Sequence, residues 1–255
     1  EGKILLELFY RGMWLEKDWC DIVRRGAFSN EEYQEFLHGG IEHIYPDYSL
    51  YPELTKDTAY GFLTRGCPNS CAYCDWSNMK SKIRKFPIER IYGEIEWMKN
   101  NRIFIFGSAD SNFGMFERDE KFVDEMVRLH NEEGVFRGFQ VSSAKNSNDR
   151  VFSISKKLND CGMDKGATLS FQSLSPVVLE NIHRKNISVD TFTSLLNKYN
   201  EAGIPTYSEL ILGLPGETKE SFTKGLCDLL EYGQHKAIQV YTCDLLPNSE
   251  MGSRE

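Results

Sequence analysis

The sequence has no long apolar run, no basic stripe and too few cysteines for a disulfide framework, and each shortage removes a class of protein. The longest apolar stretches, IFIFG at 103–107 and LILGLPG at 210–216, are far below the roughly 20 residues that a membrane-spanning helix needs. The opening residues carry no signal-peptide pattern, so no membrane partner is expected and the expected location is cytoplasmic. Acidic residues outnumber basic ones 38 to 30, for a formal net charge of −8. With no lysine- or arginine-rich stripe, nucleic acid is a poor partner. Seven cysteines in 255 residues are too sparse for a disulfide scaffold. Three of them crowd into eight positions, which points to metal chemistry in a reducing compartment. Repeats and low-complexity tracts are also absent.

What is present fits a folded α/β chain. Aliphatic, aromatic and cysteine residues make up 40% and charged residues 27%, as in globular proteins and unlike disordered ones. Residues 1–57 read as a short N-terminal helical and linker extension, with Ile4, Leu5, Leu8 and Phe9 at helical spacing before the turn-rich Tyr45-Pro46-Asp47-Tyr48. From residue 58 to 255, apolar runs alternate with amphipathic patterns, the mark of repeated βα units on a parallel sheet. Strands are expected at 60–64, 102–106, 136–141, 167–171, 206–212 and 237–241. Between them, Ile88, Ile91, Tyr92, Ile95 and Met98 recur at helical spacing. So do Phe122, Met126 and Leu129, and then Val189, Phe192, Leu195, Leu196 and Tyr199. Ser175-Pro176 and Ser188 read as helix starts. Six such units predict a partial (β/α)6 TIM-like barrel of parallel strands.

The chemistry concentrates after the first expected strand, in Arg65-Gly66-Cys67-Pro68-Asn69-Ser70-Cys71-Ala72-Tyr73-Cys74-Asp75-Trp76, at the carboxyl end where parallel sheets place their sites. Three thiolates spaced in this way can serve three irons of one cubane cluster and leave the fourth iron open. A structural zinc site closes with four protein ligands, and no fourth cysteine or histidine lies near this loop. A distant histidine such as His130 or His183 would have to complete it. A ferredoxin would also want a fourth cysteine, at a different spacing.

The Cys-x3-Cys-x2-Cys pattern, with an aromatic before its last cysteine and a strand before its first, resembles the radical S-adenosylmethionine (SAM) superfamily. The resemblance implies that Cys67, Cys71 and Cys74 hold a [4Fe-4S] cluster whose open iron binds SAM. It also implies reductive cleavage to a 5′-deoxyadenosyl radical, fed by an external electron donor of flavodoxin or ferredoxin type. Further segments match by position. Gly107 to Gly114 sits where the family contacts the SAM amino group, with Asp110 as the candidate. Ser142 or Lys145 would meet its carboxylate and Gln172 its ribose, against the bland reading of each as loop capping. The run from Glu209 through Leu212 to Thr218 resembles the fifth-strand motif that covers adenine, although it also reads as a buried strand with a Pro-Gly turn. Tyr73 is a candidate adenine contact, and Trp76 could shape the cofactor side of the loop or simply pack.

Finer wording, in Cys74-Asp75-Trp76, Asn112-Phe113-Gly114 and Gln172-Ser173-Leu174-Ser175, looks like the cobalamin-dependent, methyltransferase-like branch of that superfamily. The branch implies methylation of an unactivated carbon in a small metabolite or natural product, with cobalamin as a further cofactor. Its cobalamin domain normally precedes the barrel, and residues 1–57 are too short to form one. The opening Glu1-Gly2-Lys3-Ile4-Leu5-Leu6-Glu7-Leu8 resembles the stretch that follows such a domain, so the chain reads either as a fragment or as a protein working without that domain. Two alternatives stay open: a radical SAM oxidoreductase or rearrangement enzyme without methyl transfer, and an iron-sulfur electron-transfer or binding module.

Overall fold

The computed structural model describes residues 58–61, 63–78, 83–144, 149–164, 166–247 and 249–254. The expected extension at 1–57 and Lys145 lie outside the described residues. The chain divides into two compact units. Of the described residues, one takes those up to Arg65 with Arg84–Asp110 and Arg128–Ser142; the other takes those within Gly66–Ile83, Ser111–Val127 and from Ser143 onward.

The first unit carries a parallel sheet in the order β1, β4, β5, formed by Thr58–Gly61, Ile105–Ser108 and Gly138–Gln140. Helix α2, Ile88–Asn100, buries Ile91, Ile95 and Met98, three positions on one face of a 3.6-residue period. Tyr92, expected on that face, is 40% exposed. In the core, Phe106 stacks on Phe139 with centroids 5.3 Å apart. Gly61 leaves room for it, since a Cβ there would stand 3.0 Å from the Phe106 ring.

The first expected strand breaks in two. β1 stops at Gly61, and Thr64–Arg65 (β2) pairs antiparallel with Arg84–Lys85 (β3). The cause is Asp110, 3% exposed, whose carboxylate accepts the backbone N–H groups of Leu63 and Thr64 and the hydroxyl of Ser108. Amides that point at a carboxylate have left the ladder. The second strand starts later than the expected 102, because Arg102 takes a left-handed φ of 56° in the turn that ends α2.

The second unit carries a parallel sheet in the order β6, β7, β8, formed by Ala167–Thr168, Thr206–Leu212 and Ala237–Thr242. β7 falls where expected. The ladder for β6 ends early, at Thr168, although Gln172 still bridges to Leu210. Gln172 has φ 65°, so the chain turns out of the extended region there. Helix α6, Val189–Glu201, presents Phe192, Leu195, Leu196 and Tyr199 to a core shared with Ala167, Leu169, Phe171, Leu210 and Leu229. Phe192 meets Phe171 edge-on at 4.8 Å.

The expected helix starts hold with different chemistry. Ser188 accepts the Thr191 N–H at 3.1 Å as a side-chain cap. Ser175 occupies the N-cap position of α5, Pro176–Asn181, without a side-chain cap bond, and Pro176 supplies the first turn. Helix α7, Lys219–Glu231, starts in a reciprocal capping box between Thr218 and Ser221. The remaining helices are α1 at Asp75–Asn78, α3 at Glu117–Glu133 and α4 at Asp149–Asp160. Among the described residues no helix is long and apolar enough to cross a membrane.

Candidate active site

The cysteine loop runs from Gly66 to α1 in the second unit. It begins on a glycine with φ 99°, a conformation that costs an L-residue about 1–2 kcal/mol and glycine nothing. Two backbone bonds seat the loop: the Ala72 N–H donates to the Ile182 carbonyl at 3.0 Å, and the Ala72 carbonyl accepts from Met251 N–H at 2.9 Å. Ser111 Oγ donates to the Gly66 carbonyl at 2.8 Å. The loop is thereby tied to three distant stretches of chain.

Cys71 is buried, and Cys67 and Cys74 are half-buried. None of the three is in a disulfide. Asn112 donates from Nδ2 to Cys67 Sγ at 3.0 Å, and Asn69 Nδ2 stands 3.6 Å from the same sulfur. Arg184 brings Nη1 to 4.0 Å from Cys71 Sγ and to 3.2 Å from the Tyr73 hydroxyl. N–H donors and a guanidinium aimed at sulfur are the contacts that orient ligating cysteines, so the donor set fits a cysteine-ligated iron-sulfur cluster. Among the described residues no three His, Cys, Asp or Glu side chains converge on a single ion. Cluster ligands each bind a different iron and need no common point.

Burial pushes the Tyr73 phenol well above its usual range. Arg184 opposes that rise, and the Cys71 and Cys74 thiols add to it. Tyr73 also packs with Ile211 and Cys243 against a small apolar cluster of Val178, Ile182 and Leu214. Trp76 is half-buried on α1. Burial likewise raises the Asp75 carboxyl.

Past the end of β6, Ser170 Oγ donates to Glu209 Oε2 at 2.6 Å and Gln172 Nε2 approaches the same oxygen at 3.4 Å. The structure therefore brings Gln172, past the end of β6, beside Glu209 of β7. Leu212, at the end of β7, is 45% exposed. In the motif that follows, Gly216 has φ 83°, and a Cβ there would stand 2.6 Å from Asn181 Nδ2. In the first unit, Ser142 is exposed just past β5, and Asp110 is committed to the β1–β2 corner as described above.

Sequence reasoning missed Arg184 and Asn112 as side chains of the cysteine loop. Arg184 sits in the polar run His183-Arg184-Lys185-Asn186 and reads as a solvated helix end, yet it is 7% exposed. Asn112 was visible as part of a motif but carried no sign of its sulfur partner.

Residues 62–225 match the model of the radical SAM superfamily. The chain is 45% identical over 192 residues to the cobalamin-dependent radical SAM methyltransferase TokK of Streptomyces tokunonensis, covering 75% of this chain and 28% of that protein. It is 43% identical, with the same coverage, to 2-(S-pantetheinyl)-carbapenam-3-carboxylate methyltransferase of Streptantibioticus cattleyicolor. The chain thus spans just over a quarter of the length of these relatives. Its fold resembles the radical SAM methyltransferase TsrM of Kitasatospora setae, solved with cobalamin and a [4Fe-4S] cluster bound, at a TM-score of 0.61 and 18% identity over 76% of this chain and 36% of that one.

Proposed function

Because this chain belongs to the radical SAM superfamily, we propose that it is the radical-generating core of a cobalamin-dependent C-methyltransferase acting on a small natural product. The observation that carries the reading is the 45% identity to a cobalamin-dependent radical SAM methyltransferase across the stretch that contains the three-cysteine loop. In this reading Cys67, Cys71 and Cys74 hold a [4Fe-4S] cluster. When bound, the cluster supplies the electron that splits SAM into methionine and a 5′-deoxyadenosyl radical, and cobalamin supplies the methyl group.

This chain's own residues anchor and orient. Glu209, with its second carboxylate oxygen Oε1 still available beside the Ser170 and Gln172 contacts at Oε2, can accept ribose hydroxyls. Gln172, just past the neighbouring strand, is the second ribose partner. Tyr73 and Leu212 offer apolar surface to adenine, and Trp76 does the same for the cofactor side of the loop. For the methionine end of SAM, the family resemblance assigns the amino group to Asp110 and the carboxylate to Ser142 or Lys145. A partner of flavodoxin or ferredoxin type delivers the electron. Cysteines held outside disulfides suit a reducing compartment, for which we take the cytoplasm.

The test is anaerobic reconstitution with iron and sulfide, reduction, and turnover with methyl-labelled SAM, cobalamin and carbapenam-type thioethers. Label in the product together with 5′-deoxyadenosine is expected. Deoxyadenosine without methyl transfer would place the chain among radical oxidoreductases or rearrangement enzymes. Cluster assembly without SAM cleavage would leave an electron-transfer module.

A further inference from the structure

One residue of the cysteine loop is held on both sides. Ala72, fully enclosed between Cys71 and Cys74, donates its N–H to the Ile182 carbonyl at 3.0 Å and offers its own carbonyl to the Met251 N–H at 2.9 Å. The chain neighbours of these two anchors face each other: His183 Nδ1, one residue past Ile182, stands 3.2 Å from Glu250 Oε2, one residue before Met251. Ala72, the pair Ile182 and His183, and the pair Glu250 and Met251 therefore close a ring of contacts. Ile182 and Met251 also join one small apolar cluster with Val178 and Leu214.

Both anchor segments are shaped for this place. His183 follows the last turn of α5 with φ 53°, and its N–H and that of Arg184 bond back to the Glu180 and Leu179 carbonyls at 3.1 and 2.9 Å. This is the Schellman ending of a helix, whose left-handed position is ordinarily glycine or asparagine. A histidine held in that conformation points to a task for its side chain. On the other side Ser249, fully enclosed, donates Oγ to the Leu246 carbonyl at 2.7 Å and accepts the Gly252 N–H at 3.0 Å. A Cβ on Gly252 would overlap the Leu246 carbonyl oxygen, so the turn that presents Glu250 and Met251 has no room for a side chain there.

We infer that His183 and Glu250 are positioning residues, a latch that locks the two anchors of Ala72 together and so keeps Cys71 and Cys74 in the geometry that retains a cluster. The inference rests on the reading that these cysteines hold the cluster. The pair acts through the Ala72 backbone. Its side chains are 50% and 35% exposed, and an ion pair so placed adds little to overall stability. Its effect is therefore local, on how readily the loop opens and lets iron go.

The test is the rate at which the anaerobically reconstituted protein, without SAM, yields iron to a chelator, with urea unfolding of each variant measured alongside. His183→Gly and Glu250→Ala are each expected to speed release by about twofold to fivefold, and the double variant no more than either alone. Glycine suits the left-handed φ, so His183→Gly should unfold no earlier than the wild type, which a merely structural role would not give. His183→Asn, which tolerates that φ and can still donate to the carboxylate, is expected to restore most of the wild-type rate. Unchanged release in loaded single variants, additive effects in the double variant, or release that rises only in step with lost stability each overturns the inference. If Glu250→Ala does not fold, His183→Gly against His183→Asn decides by the same readout. A wild-type protein that takes up no iron would sink the proposed function itself, an outcome distinct from all of these.

Discussion

Two regions of the second unit are built on opposite rules. Around α6 the buried groups are apolar and interlocked, with Phe192, Tyr199 and Leu229 fully enclosed. Around the cysteine loop a small apolar cluster is joined by enclosed polar groups, with Arg184 and Asn112 each below 8% exposure and each hydrogen-bonded. The first region stores stability in volume, where shape matters and chemistry little. The second stores function in chemistry, because each polar group there is tolerated only while its partner is present. A mutation should therefore reveal which region it has struck by whether it moves stability or activity.

The largest separation is expected for Cys71→Ala. Formation of 5′-deoxyadenosine by the reconstituted protein should drop to background, while the far-ultraviolet circular dichroism of the apo-protein stays that of the wild type. Unfolding of the variant would break the comparison, since it would make the loop a structural element. On the other side, Phe192→Ala should cost about 3–5 kcal/mol in urea unfolding. Its cysteine loop should still load iron in whatever fraction remains folded.

Gly216→Ala probes the seam between the rules. Its left-handed φ of 83° and the Asn181 amide in the path of a Cβ predict a loss of about 1–2 kcal/mol. Thr218→Ala, which removes one half of the α7 capping box, should cost about 1 kcal/mol in urea unfolding and leave SAM cleavage per folded molecule unchanged.

The smallest effect belongs to the first unit, where Glu94 is an ionisable group placed within an apolar setting and paired with Arg90 at 2.7 Å. Burial raises its carboxyl, against the pull of Arg90. The native state then holds its proton to higher pH than the unfolded chain does, so stability is fully present below the unfolded carboxylate range and declines as pH rises through the raised native value. Glu94→Gln should flatten that part of the stability profile in denaturant titrations at a series of pH values. An unchanged slope would show that Arg90 compensates fully.

Much of this division could be read from the chain itself. The helical spacing of Phe192, Leu195, Leu196 and Tyr199 locates the core face of α6, and β7 lies at 206–212 as its apolar run suggests. Strand ends were less legible where a distant side chain intervened. Asp110 captures two amides 46 and 47 residues away and so ends β1 early. Gln172 leaves the extended region while still meeting Leu210. No local propensity encodes either contact.

By itself, the sequence determined the alternation of strand and helix, the family and the three-cysteine loop, because periodicity and ligand spacing are local along the chain. Only the tertiary structure decided that Arg184 and Asn112 would stand at the sulfurs, 113 and 45 residues from Cys71 and Cys67. A buried polar side chain is defined by its partner, and that partner is chosen by packing rather than by neighbours in sequence.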